Sequence, residues 1–400
     1  MSAYLYKNYR GVEVNSHSHS SGSTFSFCRQ KYYLQKVQGW RTKGENASSK
    51  FGVAVEDAIA YYHQNGLKPG EAVDHFKFRW LQFKEVPDLI FKDKEGTWED
   101  LYKSGSQLLA LYEIMLPDLP IVKPEFQLRY SREVFPGTEL AGLQDQGFVD
   151  LLSRGPWVHP LLPKVTVPPN ATHRSIIVDI KTSGTALDLT PQILQLDPQL
   201  KRYASLSGVR DVAFLWFQRS KPLSFEKGTE ITFLEDSGKW TKGQKAVIYE
   251  FDSEANSALI THEVNLFSIK TALAEIKGKG SGELKAAKIA EFIADAILTK
   301  VPVEHITKQK LKFVAVRMND EDVEEENRIV AKQMVEIRQA SIDNFWPKDG
   351  AGVRFPKNNC GWCEMRGHCL RDTQLRDQLL VQITNPVESD WLDDVQEEEG

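Results

Sequence analysis

Four cysteines are the only thiols of this 400-residue chain, and their spacing suits a metal site. Cys28 stands alone near the beginning, whereas Cys360, Cys363 and Cys369 form a Cys-x2-Cys-x5-Cys group near the end. Four thiolates are the complete ligand set of one iron–sulfur cluster or of one structural zinc ion. A site of this kind would join the two ends of the chain and enclose nearly everything else.

A second group of polar residues, in the middle of the chain, has the residue types of a hydrolytic metal site. Asp179 and Lys181 close the apolar, β-branched run that begins at Ser175, and such a run predicts a buried strand. Because side chains alternate along a strand, Asp179 and Lys181 share one face. Burying these two charges is costly without a metal, a substrate or close mutual pairing. The alternative is a purely structural ion pair.

Three further polar residues stand at spacings that fit the same chemistry. Asp150 ends the segment Gly147-Phe-Val-Asp within a second predicted strand, just before two leucines. Gln199 and Tyr203 are four residues apart, so they share a face of a predicted helix. Carboxylate oxygens are the ligands that Mg²⁺ and Mn²⁺ prefer. The pattern therefore predicts a divalent-metal site built on two strands and one helix.

In this order, the motifs resemble those of the PD-(D/E)XK nucleases of the RecB type. More narrowly, they resemble the iron–sulfur branch that includes the CRISPR-adaptation nucleases, the AddB nuclease domain and phage exonucleases. The resemblance extends over about residues 23–371 and lies in the motifs alone. It implies an α/β fold with a restriction-endonuclease-like core, in which a small central mixed sheet is flanked by helices. Helical segments at both ends would meet at a four-Cys metal cluster.

The resemblance also implies roles for individual residues. Asp150 and Asp179 would bind Mg²⁺ or Mn²⁺ together with the backbone carbonyl of Ile180. Lys181 would orient the attacking water or help to deprotonate it, and would offset charge in the transition state. The residues of the Q-x3-Y pair would lie beside the site, in reach of the lysine, a phosphate or a base.

Glu56 marks a departure from the family pattern, which often has histidine at this position of the helix predicted over residues 51–64. A carboxylate serves equally as a metal ligand, so Glu56 is assigned as a catalytic and metal-binding residue. His63 lies seven residues further on and shares the helical face. It is the alternative for this role, although a lone helical histidine is more often a packing or surface residue.

The four cysteines allow more than one cofactor. The unequal Cys-x2-Cys-x5-Cys spacing with one distant partner resembles the [4Fe–4S] pattern of the family more than the paired knuckles of a zinc ribbon. A [4Fe–4S] cluster bound by Cys28, Cys360, Cys363 and Cys369 is therefore preferred over zinc, and unligated thiols are the third interpretation. A structural role is expected for the cluster.

Charge and composition limit the class of protein. The net charge is −5, but residues 388–400 contain seven acids and no base, so the overall charge neither supports nor excludes DNA as a partner. No apolar run is long enough to span a bilayer, and few cysteines at metal-ligand spacing suit a reducing compartment. These features predict a cytoplasmic protein, in a bacterial cell or a phage-infected host, with no membrane partner.

The chain divides into three parts by pattern. Residues 1–22 are predicted to be a flexible N-terminus, and residues 23–375 the nuclease domain, with an inserted segment at about 223–312. Residues 376–400 form an acidic tail that either solubilises the protein or docks a partner. Helices are predicted over residues 25–38, carrying Cys28, over 190–207 with a break at Pro198, and over 320–342; strands are predicted over 125–134 and 140–153.

The expected function is that of a metal-dependent DNA exonuclease used in recombination, repair or phage DNA processing, acting on DNA with a free end. A CRISPR-adaptation nuclease is a narrower variant of the same chemistry. A different class is also open, namely a weakly active DNA-end-binding subunit of a larger complex. Homo-oligomers occur among related exonucleases, so the resemblance also leaves a homo-oligomer open.

Overall fold

The computed structural model describes residues 3–85, 89–91, 96–169, 171–185, 189–220, 225–261, 298–348 and 359–383. The α-helices in these ranges are α1 His19–Phe27, α2 Arg29–Tyr32, α3 Ala47–Gln64, α4 Glu71–Gln82, α5 Trp98–Met115, α6 Pro191–Gln195, α7 Pro198–Ser207, α8 Asp320–Ile342, α9 Arg366–Leu370 and α10 Thr373–Leu379. The strands are β1 Tyr6–Lys7, β2 Glu13–Val14, β3 Ser16–Ser18, β4 Trp40–Thr42, β5 Glu45–Asn46, β6 Leu89–Ile90, β7 Glu125–Glu133, β8 Gln144–Gly155, β9 Arg174–Ser183, β10 Asp211–Gln218, β11 Glu230–Phe233, β12 Lys245–Asp252, β13 Ser257–Thr261, β14 Thr299–Pro302, β15 Ile306–Thr307, β16 Lys310–Arg317 and β17 Leu380–Gln382.

The central sheet has six strands and mixed directions. Its order is β16-β10-β9-β8-β3, and β7 pairs with the other edge of β8. β9 is parallel to β10, and β3 is parallel to β8, whereas the β8–β9, β7–β8 and β10–β16 pairs are antiparallel. The prediction of the α/β class is confirmed. The three strands predicted from sequence pattern, β7, β8 and β9, are neighbours in this sheet, with β8 and β9 inside it and β7 at its edge.

Helices cover both faces of the central sheet because alternate strand residues are apolar on both sides. Helices α3, α4 and α5 pack on one face, where Phe51, Phe76 and Leu108 join strand residues such as Val178 in a single buried cluster. Helix α7 and the start of α8 pack on the other face, around Ile177. Successive residues of β9 therefore point into different hydrophobic layers.

A second sheet lies between β10 and β16 in the chain. It has five strands in the order β14-β13-β12-β11-β15 and its own buried cluster, which includes Phe233 and Trp240. The segment leaves the central sheet after β10 and returns to it before β16. Its two ends lie side by side, because Ser220 N donates to Gln309 Oε1 at 2.7 Å and Gln309 Nε2 donates to Ser220 O at 2.8 Å. This sheet falls within the predicted insertion at 223–312, of which residues 262–297 lie outside the described chain.

The N-terminal residues differ from the prediction of a flexible lead-in over residues 1–22. Ala3, Leu5 and Tyr6 are buried in a cluster with Val330 and Met334 of α8. Strand β3 pairs with β8 and places the next residues at the central sheet. The error has a simple cause: β3 is only three residues long and polar, so it carries no recognisable strand pattern.

The helix predicted over residues 25–38 is interrupted at Cys28. Helix α1 ends there because Cys28 is extended, with φ −167° and ψ 120°, and α2 begins at the next residue. A five-residue π-helical turn, Tyr33–Val37, then replaces the expected α-helix. Cys28 therefore lies at a break between two helices, where its thiol is held away from a regular helical face.

Residues near the two ends of the described chain lie together, while the metal cluster predicted to join them stays a prediction. Strand β17 pairs with β4, and Lys31 Nζ lies 2.8 Å from Glu364 Oε1. Lys43 Nζ also donates to the carbonyl of Asp377 at 2.6 Å. The acidic tail prediction falls mainly on residues 384–400, which lie outside the described residues. Within the described ranges, the helices are too short or too polar to cross a bilayer.

Candidate active site

The candidate site is built around a gap in the central sheet. One edge of β8 pairs with β7, while the other edge pairs with β3 at residues 144–146 and with β9 at residues 151–155. Residues 147–150 of β8 therefore have no strand partner on that edge, and we call this stretch the β8 gap. It coincides with the sequence motif Gly147-Phe-Val-Asp150.

Strands β3 and β9 run toward the β8 gap from opposite directions, and each stops pairing with β8 at the border of the gap. Strand β3 ends at Ser18, opposite Gln146, and β9 loses its pairing with β8 after Val178. By register, Asp179 is the residue that would pair with Asp150. Instead of a ladder hydrogen bond, Asp150 Oδ2 accepts the backbone N–H of Ile180 at 2.8 Å. The fork in the sheet therefore brings two predicted site residues face to face.

Asp179 and Lys181 form the pair that their spacing predicted. Lys181 Nζ lies 2.6 Å from Asp179 Oδ2, and the Asp179 side chain is fully buried while that of Lys181 is 34% exposed. Among the described residues, Asp179 Oδ1 has no hydrogen-bond donor. Burial and the neighbouring Asp150 carboxylate raise the pKa of Asp179 to about 8, against the opposing effect of Lys181. The close approach of Lys181 thus balances the charge of Asp179, although neither carboxylate oxygen has a hydrogen bond of regular geometry among the described residues.

The charge of Lys181 is maintained by its surroundings. Burial lowers the pKa of Lys181, but Asp179, Asp150 and Glu56 together raise it above its ordinary value. The ammonium is therefore retained at neutral pH. This side chain acts as a fixed cation and hydrogen-bond donor in the free protein, rather than as a base.

Glu56, on α3, is the third carboxylate of the site. Burial raises the pKa of Glu56 to about 8, and the charges of Asp150 and Asp179 act in the same direction. These mutual effects place Glu56 beside the β8 gap. The alternative residue His63 lies elsewhere: its Nε2 contacts the hydroxyl of Tyr112 at 2.7 Å, and burial lowers its pKa to about 4. His63 therefore has a packing role between α3 and α5.

Gly147 and the Q-x3-Y pair fit together on the other side of the gap. A Cβ at Gly147 would lie 2.8 Å from Leu206 Cδ1 and 3.4 Å from the Tyr203 ring, so glycine lets α7 pack closely on β8 without a shift of the Leu206 side chain. Gln199 Nε2 donates to the Tyr203 hydroxyl at 2.7 Å. Burial, followed by Asp179 and Asp150, raises the pKa of Tyr203. The neutral hydroxyl retains its own proton for donation toward the site.

Two features of the site carried no signal in the sequence pattern. Gln127, in β7, has φ +51° and stands opposite Asp150, where the β7–β8 pairing is interrupted. A positive φ is costly for a residue with a side chain. Val149 and Leu151 belong to different hydrophobic clusters although they are two residues apart. The irregularity therefore breaks the strand alternation at Asp150 and lets its carboxylate turn toward β9.

His19 and Asp197 also border the β8 gap and were not predicted. His19 follows β3 directly and begins α1, and its pKa is lowered by burial, with Asp197 raising it and Lys181 lowering it. Asp197 caps α7, where its Oδ1 accepts the N–H of Leu200 at 2.9 Å. Their only sequence signal is the helix-start pattern that each one occupies.

The four cysteines are free thiols that are partly exposed. Burial raises the pKa of Cys369, and the thiols of Cys28 and Cys360 act in the same direction. Cys369 in turn contributes to the raised pKa of Cys363. The thiol of Cys28 therefore lies near enough to Cys369 to influence its pKa. Among the described residues, however, no three His, Cys, Asp or Glu side chains are arranged closely enough to hold a metal ion, at the cysteines or at the β8 gap.

Comparison with known proteins gives no family. No protein-family model matches the chain, and no curated protein matches it. Among solved structures, the chain is similar to the one described as "Crystal structure of SSO0001", with 13% identity and a TM-score of 0.18 over 47% of this chain and 67% of that chain. This overall similarity is too low to carry an argument about the fold or the function.

Proposed function

We propose that the protein is a metal-dependent deoxyribonuclease of the PD-(D/E)XK type that hydrolyses phosphodiester bonds from a free DNA end. The observation that carries the proposal is the convergence of Asp150, Asp179, Lys181 and Glu56 at the β8 gap. The central mixed sheet supports the restriction-endonuclease-like core that the motifs imply. The exonuclease role in recombination, repair or phage DNA processing follows from the resemblance and is part of the proposal.

The residue types at the gap suit a hard divalent cation, and the carboxylates of the described residues would have to draw together to bind one. Glu56, Asp150 and Asp179 supply carboxylate oxygens, with the carbonyl of Ile180 as a further donor, and this is the ligand type of Mg²⁺ and Mn²⁺. The unsatisfied Asp179 Oδ1 and the raised pKa values of Glu56 and Asp179 indicate an excess of negative charge. A bound divalent ion would neutralise charge and lower the pKa of a coordinated water.

Lys181 and Tyr203 supply the remaining functions. The Lys181 ammonium, held in its charged form, donates to the attacking water or to a phosphate oxygen and offsets the negative charge that develops there. Gln199 fixes the Tyr203 hydroxyl, which leaves its proton for a second oxygen of the substrate. A structural ion pair alone would explain Asp179 and Lys181, but it does not explain the two further carboxylates gathered around them.

Cleavage of DNA by protein purified without oxygen tests the proposal. Linear and closed circular DNA are incubated with Mg²⁺ or Mn²⁺, and the products of wild type, Asp179→Ala and Lys181→Ala are compared. We expect metal-dependent loss of linear DNA and a reduction of about 10³-fold or more in both variants. Retained DNA binding by Lys181→Ala separates loss of chemistry from loss of fold.

The same assay separates the alternatives. Cutting of closed circles would make the protein an endonuclease. DNA binding without cleavage, unchanged by Lys181→Ala, would contradict the enzyme and favour an end-binding subunit.

We further propose that the four cysteines hold a [4Fe–4S] cluster. The support for this proposal is the number and spacing of the four cysteines, because four thiolates are a complete ligand set for the cluster; in the described residues the thiols are not yet close enough to hold a metal. Iron, sulfide and zinc analysis of wild type and Cys369→Ser distinguishes the alternatives. We expect iron and sulfide with visible absorbance in the wild type only. Zinc in place of iron would overturn the iron–sulfur assignment.

A further inference from the structure

A serine, a histidine and a glutamate form a chain of contacts in the second sheet. Ser237 Oγ lies 3.1 Å from His305 Nδ1, and His305 Nε2 lies 2.8 Å from Glu235 Oε1. We call these three residues the serine cluster. They have the types and the order of a nucleophile, its base and the carboxylate that orients the base. None of them belongs to the β8 gap, so the proposed nuclease does not account for their arrangement.

The backbone of the second sheet positions the serine cluster. Strand β15 pairs with β11, and directly after this pairing Leu234 N donates to His305 O at 2.8 Å. The chain then carries the acid and the serine and returns to the core at Trp240, whose ring stacks on that of Phe233 with 5.2 Å between the ring centres. Both ends of this short segment are therefore anchored. They hold the acid and the serine against the two nitrogens of the imidazole.

The contacts of the serine cluster determine which atom carries each proton. The Glu235 carboxylate only accepts hydrogen bonds, so the neutral His305 ring carries its proton on Nε2. Nδ1 is then an acceptor and takes the hydroxyl hydrogen of Ser237. This tautomer is the one that a general base needs, because the free lone pair faces the nucleophile. The Ser237 hydroxyl is thus prepared to lose its proton to the histidine.

The turn that follows Ser237 leaves the nucleophile accessible. Ser237 N donates to Trp240 O at 2.9 Å and Trp240 N donates to Ser237 O at 3.1 Å, so the two residues between them lie outside this pairing. Gly238 has φ +62°, and among the described residues no non-adjacent atom lies within 4 Å of a Cβ placed there. The N–H that follows a nucleophilic serine commonly donates to the oxyanion of acyl transfer. The N–H of Gly238 has this position, beside open space.

We propose that Ser237 is the nucleophile of a second hydrolytic site, which cleaves neutral or cationic carboxylic esters. Glu304 Oε1 lies 3.9 Å from His305 Nε2, in addition to Glu235. The positive charge that the imidazole gains when it takes the serine proton therefore forms beside two carboxylates. The same carboxylates repel an anionic substrate, which separates this site from phosphodiester chemistry. Esters are favoured over amides because an alcohol leaves more readily than an amine.

The reaction balances with water as the only co-reactant. Ser237 Oγ bonds to the ester carbon while its proton passes to His305 Nδ1. The bond from that carbon to the alcohol oxygen then breaks, and the alcohol leaves with the proton from Nδ1. Water attacks the acyl-serine in the same way and gives a proton to Nδ1. The serine oxygen recovers this proton as the carboxylic acid is released.

Labelling of the full-length protein with an alkyl fluorophosphonate tests the serine cluster, because this uncharged probe reacts with activated serines and stays attached. Peptide mass analysis locates the label. We expect it on Ser237, with a labelling rate that falls by about 10²- to 10⁴-fold in His305→Gln and with no label in Ser237→Ala. A 4-nitrophenyl ester with a cationic acyl chain should be hydrolysed faster than one with an anionic acyl chain.

Ser253→Ala is the matched control, because Ser253 is an exposed serine in the turn between β12 and β13 of the same sheet. It should leave labelling of Ser237 unchanged. Glu235→Gln alters a side chain that is 58% exposed, so it should slow labelling without unfolding the sheet even where His305→Gln does not fold. Absence of label on wild-type Ser237, or equal rates in wild type and Glu235→Gln, would overturn the proposal and leave the cluster a structural hydrogen-bond network.

Discussion

Two aspartates on the same strand, the buried Asp145 and the half-buried Asp150, have opposite electrostatic surroundings. Asp145 accepts from Arg202 Nε at 2.6 Å and from Arg132 Nη2 at 3.2 Å. Burial raises its pKa, and both guanidiniums act against this rise. Asp150 receives one backbone N–H and lies close to Glu56 and two residues of β9. The charge of Asp145 is therefore neutralised by its two arginines. The carboxylates around Asp150 carry more negative charge than the nearby cation balances.

One strand thus contains an aspartate with a structural role and an aspartate of the candidate active site. The Asp145 network also ties the β3 segment to α7, because Arg202 Nη2 donates to His17 O at 2.8 Å. It therefore fixes one border of the β8 gap. The carboxylates at the gap are held in place by this frame although they repel one another. The charges of the Asp145 network are satisfied, whereas the carboxylates at the β8 gap are only partly balanced by the cation and N–H groups around them.

The largest effect on stability is expected from Arg202→Ala. Removal of this buried guanidinium leaves Asp145 without its principal partner, which should reduce the free energy of unfolding by about 3–5 kcal/mol. Urea unfolding measures the change. Asp179→Asn is the matched variant at the gap: it removes repulsion, so we expect unchanged or increased stability of the metal-free protein. Comparable losses in both variants would contradict the distinction.

A smaller loss is expected from Gly147→Ala. The new Cβ would lie 2.8 Å from Leu206 Cδ1, so the end of this flexible side chain must shift. Overpacking that a side-chain movement can relieve costs about 1 kcal/mol. Gly184→Ala serves as the control because its nearest neighbour would be 3.8 Å away. Combining Gly147→Ala with Leu206→Ala should recover part of the loss, and an absence of recovery would argue against the clash.

The smallest expected effect is a pH dependence of the metal-free protein. The pKa of Glu56 rises from 4.5 to about 8 on folding. The folded state therefore binds more protons than the unfolded state between these values, and stability falls as pH rises through this range. Melting temperature should decrease by on the order of 2–4 °C from pH 6 to pH 8. Glu56→Gln should flatten this dependence, and Mg²⁺ should stabilise more at pH 8.

The elements with strong local patterns were predictable from sequence. Helix α8 has the predicted bounds because Asn319 caps it and its apolar residues repeat with helical spacing. The break at Pro198 separates α6 from α7 as expected, since proline fits only the first turn of a helix. Asp179 and Lys181 were placed on one strand face by alternation alone.

The features that position the site were not predictable, because they depend on distant pairings. The β8 gap arises because β8 pairs with β3 and β9, which are far apart in sequence. No local sequence pattern indicates the location of the gap or the role of His19. The positive φ of Gln127 occurs at a residue that is not glycine, so the sequence does not indicate it. The break at Cys28 likewise opposes a run of good helix formers, so local propensity pointed the wrong way.

The paired residues Ser220 and Gln309 have a consequence for how this chain can change. They hold the two ends of the intervening segment side by side, next to the β10–β16 edge of the central sheet. We therefore expect insertions and deletions in that segment to leave the strand pairing of the central sheet and the register of Asp150 against Asp179 unchanged. The two ends of the segment form a junction at which the second sheet could be lengthened, shortened or exchanged without moving the residues of the β8 gap.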